Sequence, residues 1–88
     1  MQLQIADRSC RDEAGLAHRF RYYLTVDLEE TPRFCLENYG VCVEEDGGDC
    51  AAVPALTTSA SRIDELMTLL VDHLVGPAGL SDVIADWL

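Results

Sequence analysis

The sequence predicts an α+β fold, with an antiparallel sheet of three or four strands followed by two C-terminal helices packed on one face. Three stretches carry that prediction. Over residues 20–28, FRYYLTVDL sets Phe20, Tyr22, Leu24, Val26 and Leu28 on one side and Arg21, Tyr23, Thr25 and Asp27 on the other, the period of a half-buried strand. Over residues 61–75, Ile63, Leu66, Met67, Leu70 and Leu74 recur at helical spacing and form one apolar stripe. Over residues 77–88, Leu80, Val83, Ile84, Trp87 and Leu88 repeat that pattern in a segment of about twelve residues, too short to be stable alone, so it must dock beside the first helix.

The remaining elements are taken in chain order. Leu3 and Ile5 alternate with Gln2 and Gln4 as in a short strand, and the polar run 11–15 can turn the chain back. A helix over 12–19 competes with that reading, but Gly15 weakens it and no apolar stripe emerges. After the strand at 20–28, Glu29, Glu30, Thr31 and Pro32 break the ladder, since proline lacks a donor and paired carboxylates resist burial. A second strand returns through FCLENYGVCVEE. Tyr39, Val41 and Val43 share one parity while Phe34, Leu36 and Cys42 share the other, so either a bulge near Asn38 and Gly40 switches the faces or both faces meet apolar surface.

Residues 44–49, EEDGGD, supply the positive φ of a primed hairpin turn, and residues 50–56 read as a closing strand that Pro54 either confines to an edge or ends. Thr57, Thr58, Ser59 and Ser61 are all able to cap the first helix; Ser61 with Asp64 has the spacing of a capping box. Gly76 and Pro77 supply the stop, with glycine in the left-handed position. The chain is thus one domain over 1–88, with a less sharply patterned strand and turn over 1–15, antiparallel strands over 16–56 and a helical pair over 58–88.

Composition excludes several function classes. Sixteen acids against six arginines and no lysine leave a net charge of −10, which repels a phosphate backbone and argues against nucleic acid. Residues 1–26 carry four arginines against three acids, while 27–49 carry eight acids against Arg33 alone, an asymmetry able to orient self-association or a basic partner or simply to keep a small domain in solution. No run approaches the ~18 apolar residues of a membrane span, and the first residues lack the basic and apolar regions of a secretory signal, so the expected location is the cytoplasm. Cys10, Cys35, Cys42 and Cys50 then read as reduced thiols rather than disulfides.

Metal and catalytic constellations are sparse. The cysteines form no C-x-x-C pair and match no standard zinc spacing, and the acids of residues 44–49 lack the alternate positions of a calcium loop. His73 reads as a cation near the helix C-terminus and His18 as solvent-facing. No G-x-S-x-G, P-loop or H-E-x-x-H occurs, and a chain this short has little volume to enclose a cleft. Enzyme is therefore the lesser class, its form being thiol chemistry at an exposed Cys35 or Cys50, with Cys/His metal binding as the related alternative.

The pieces YYLTVD, YGVCVEE, LTTSASRIDELMTLL and DVIADWL, in order over residues 22–88, resemble a family of short proteins from anaerobic Gram-positive bacteria catalogued only as a domain of unknown function. That resemblance implies a small cytoplasmic bacterial protein and brings no catalytic or ligand residues with it. The residues themselves favour an interaction or regulatory module without cofactor, acting on a protein partner or as a homodimer. Tyr23, Phe34, Leu36 and Cys42 would supply the surface, as the apolar excess on the second side of the sheet. Trp87 would join them unless it is buried on the docking stripe.

Overall fold

The computed structural model describes residues 1–88. Four strands run in sequence, β1 (Gln2–Arg11), β2 (Ala17–Glu30), β3 (Cys35–Glu45) and β4 (Cys50–Thr57), and pair as an antiparallel meander in the order β1-β2-β3-β4. Two helices come after them, α1 (Ala60–Asp72) and α2 (Leu80–Trp87), the second entered through a 3-10 turn at Pro77–Gly79. Phe20 and Tyr22 of β2 and Val41 and Val43 of β3 meet Ile63, Leu66, Met67 and Leu70 of α1 and Leu80 and Ile84 of α2 in one core. Both helices therefore lie on one side of the sheet, the side read from the alternation in β2.

Between β2 and β3 the register runs without a shift from Phe20↔Glu45 to Glu30↔Cys35. Of the two readings open for β3, this unbroken register excludes a bulge near Asn38 and Gly40 that switches its faces and leaves the two-sided strand. The irregularity lies instead in β4: between the pairs Tyr39↔Thr57 and Val41↔Val53, β3 advances by two residues and β4 by four. The excess holds Pro54, which needs no ladder partner, and Ala55, whose φ of 54° is left-handed. Gly40 makes room for it, since a Cβ there would lie 2.6 Å from Pro54 Cα and 2.6 Å from Thr25 Oγ1.

The turns differ in detail from those the sequence suggests. Asp12 and Gly15 close a three-residue loop in which Gly15 takes φ 81° and its amide donates to the Asp12 carbonyl at 3.0 Å; residues 12–16 form no helix. At the β3–β4 end, Gly48 N–H donates to the Glu45 carbonyl at 3.0 Å with Gly47 at φ 71° and Asp46 at negative φ, a type II turn rather than a primed one. The loop between β2 and β3 is held by Thr31, whose hydroxyl accepts from the amides of Arg33 and Phe34.

β1 is far longer than the Leu3–Ile5 alternation indicated. Ile5 is an extra residue between the pairs Gln4↔Tyr23 and Ala6↔Tyr22, and this bulge reverses the parity of the rest of the strand. Ala6, Arg8 and Cys10 then fall on the helix side, and Asp7 falls on the outer side, where it pairs with Arg19.

α1 begins earlier than the capping box suggested. Ser59, not Ser61, is the N-cap, its Oγ accepting from the Arg62 amide at 3.3 Å. At the other end Leu74 takes φ 52°, Leu74 N–H donates to Val71 and Val75 N–H donates to Leu70, a Schellman arrangement with leucine where glycine was expected. Gly76 serves another purpose: a Cβ there would sit 3.0 Å from the Phe20 ring, so its absence lets the interhelical chain close over the core.

Candidate interaction surface

Length sets up the site. The fourteen residues of β2 span roughly 46 Å and the thirteen of α1 only about 20 Å, in a molecule measuring 54 × 24 × 16 Å. The helices cover the half of the sheet that holds Phe20, Tyr22, Val41 and Val43. Beyond them the same side carries Leu24, Val26 and Tyr39, each half-buried, and Leu3, Ile5 and Leu28, which are 45%, 50% and 58% exposed. Met1 extends the patch, its backbone paired with Val26 through two hydrogen bonds of 2.8 and 3.0 Å. A groove of about 300 Å³ enters between this patch and α1, lined by Ile5, Leu24, Tyr39, Ala60, Ile63, Asp64 and Met67. A second recess of about 200 Å³ shares Ile5, Asp64 and Met67 and continues along α1 past Thr68 and Asp72.

The residues singled out from sequence fall in three places. Tyr23 and Cys42 are cross-strand partners on the outer side of the sheet, and Leu36, paired with Glu29, lies on that side at its far end. Phe34 stands in the β2–β3 turn, 54% exposed. Trp87 belongs to neither group: it is half-buried against the α1 flank that bears Leu69 and His73, under the Arg62 guanidinium at 4.5 Å from its ring. Cys42 is 7% exposed although no layer covers the outer side, hemmed by its neighbours Tyr23 and Ala52. The outer side is polar toward its other end, where Arg19 pairs with Asp7 and Arg21 with Glu44 at 3.1 Å.

His18 is not simply solvent-facing. Its Nε2 meets Asp12 Oδ2 at 2.8 Å and its Nδ1 meets Glu45 Oε1, so one imidazole ties the β1–β2 turn to the end of β3. Hydrogen bonds to Asp12 first and Glu45 second hold its pKa above the ordinary 6.5, and the bond from His18 holds the Asp12 carboxyl below its usual 3.8.

A protein-family model matches residues 1–88, the whole length of the chain. The chain belongs to the family of unknown function DUF6514. No curated protein and no solved structure matches it.

In this DUF6514 chain all four cysteines are free, Cys35 and Cys50 exposed and Cys42 buried. Burial, then the neighbouring Cys50, pushes the Cys42 thiol up, which disfavours the reactive thiolate. No group of three or more His, Cys, Asp and Glu side chains converges to hold a metal ion. No helix is long and apolar enough to cross a membrane. The sequence pointed to the outer side of the sheet, whereas Leu3, Ile5 and Leu28 stand exposed on the helix side. The signal was present in Leu28, Leu3 and Ile5, all assigned from alternation to a core side that two short helices are too small to cover.

Proposed function

We propose that this chain is a small acidic cytoplasmic module that acts by protein contact, as an adaptor or regulator, and uses no cofactor. One observation carries the reading: Leu3, Ile5 and Leu28 stand exposed in a continuous apolar area with Leu24, Val26 and Tyr39, on a sheet side that the chain's own helices leave half bare. Affinity capture from the source cells with the full chain and with Leu3→Asp/Ile5→Asp tests it. Loss of a captured protein in the variant, at unchanged circular dichroism, is the expected result; an identical captured set rejects the reading.

Self-association as a homodimer is a second reading, favoured by Phe34 and Leu36, 54% and 38% exposed at the far end of the β2–β3 hairpin. Two-fold dimers are the commonest small assemblies. Bringing together two chains of net charge −10 opposes it, so such a dimer would tighten with salt. Sedimentation of wild type and Phe34→Ser/Leu36→Ser decides, a monomeric wild type at high micromolar concentration ruling the dimer out.

A further inference from the structure

We infer that the groove between α1 and β1 receives a basic amphipathic helix from a partner protein. This rests on the protein-contact reading and adds the chemistry of the contacted segment. The two adjoining recesses share Ile5, Asp64 and Met67 and together form a channel that follows α1 from Ala60 to Asp72, a length of about 18 Å or three and a third helical turns.

The shape of the vacant layer favours a helix. The helices share one core with β2 and β3, and on β1 Ala6 and Cys10 pack against that core while Leu3 and Ile5 stand exposed beside α1. A third helix laid beside α1 at the usual 8–10 Å would complete a two-layer sandwich. Addition of a strand to the β1 edge is disfavoured, because the bulge at Ile5 twists that edge and Arg8 and Arg11 stand on it.

Charge selects the sign of the occupant. Asp64 and Asp72, eight residues apart on the α1 flank that lines the channel, enter no ion pair within the chain, and only Arg8 faces them from β1. A second copy is a poor occupant. α1 carries Asp64, Glu65 and Asp72 against Arg62, and α2 carries Asp82 and Asp86 with no cation, so either helix would bring acids to acids. A helix with leucine-like residues on one side and lysine or arginine along its border matches both the apolar floor and the two free carboxylates.

The test uses the full chain and a fluorescent Leu/Lys amphipathic peptide of about 14 residues, enough to run the channel as a helix. Saturable binding is expected, with Asp64→Asn/Asp72→Asn weakening it roughly fivefold or more and flattening its salt dependence. Ile5→Asp should abolish it. Asp46→Asn/Asp49→Asn removes the same charge from the β3–β4 turn and should leave affinity within about twofold. Each variant is checked by circular dichroism and thermal melt. Equal weakening by the Asp46/Asp49 variant would show diffuse attraction to an acidic chain and overturn the inference. So would equal binding of a Leu/Glu peptide with the same apolar side, absence of binding, or a wild-type dimer that Ile5→Asp dissociates. If the peptide fails while Leu3→Asp/Ile5→Asp still loses a captured protein, the contact reading stands and the basic-helix inference falls.

Discussion

His18 is the residue whose chemistry most directly reports on the fold. Because its pKa is raised when folded, its two carboxylate contacts contribute stability that is complete below pH 6.5 and disappears as pH rises through the folded value. Asp12 acts in the opposite sense, its contribution present above 3.8 and lost as pH falls through its lowered folded value. The melting temperature should therefore fall as pH climbs past neutrality, and His18→Gln should remove that component; parallel wild-type and variant profiles across pH 5–9 would contradict the assignment. All three groups are solvent-accessible, so the effect is a small one that salt screens. Thiols give a second residue-scale test. Native-state alkylation with mass-spectrometric readout should label Cys35 and Cys50 promptly and Cys42 slowly, and rapid labelling of Cys42 would show the outer side of the sheet to be looser than described. The sequence could not show that His18 bridges two turns, because Asp12 and Glu45 reach it only through the register of three strands.

At the scale of elements, the alternation of β2 and the stripes of α1 and α2 were legible because each buries one side, and burial is what a periodic pattern encodes. End positions were not. Ser59 and Ser61 offer equivalent hydroxyls, and only backbone geometry decides that Ser59 accepts from Arg62. Ser59→Ala should cost about 1 kcal/mol in chemical denaturation and Ser61→Ala distinctly less; the reverse order would restore the capping box. Leu74 shows why the stop was misplaced: the left-handed C′ position favours glycine, yet here the chain accepts leucine there and uses Gly76 for closeness to Phe20. A bulge near Gly40 is one of the two readings the sequence allows, and a bulge is present, but in the neighbouring strand. A glycine in a ladder marks close approach without telling which strand gives way. Gly40→Ala should destabilise by about 2–3 kcal/mol, since the new methyl meets the backbone of Pro54 and cannot be relieved by a side-chain rotation. A melting temperature unchanged in that variant would show the bulge of β4 beside Gly40 to be slack. The long β1 escaped notice for a related reason, its polar residues on both sides leaving no period once Ile5 had shifted the parity.

For the molecule as a whole, proportion matters more than any single residue. A hairpin extending through much of a 54 Å body is covered by two helices of thirteen and eight residues, and the shortfall leaves Leu3, Ile5 and Leu28 exposed above half-buried Leu24, Val26 and Tyr39. Both edges are guarded against unwanted strand pairing, β1 by its bulge and arginines and β4 by Pro54 and its own bulge. On the proposed protein-contact reading, the bare half of the helix side is where a partner would dock. A photo-crosslinking residue placed at position 5 of the full chain, with position 81 on the exposed side of α2 as control, probes that contact when the source cells are irradiated. Position 5 should give a discrete protein adduct and position 81 none. Adducts of equal yield from both positions, or from position 81 alone, would place the contact elsewhere and refute this assignment.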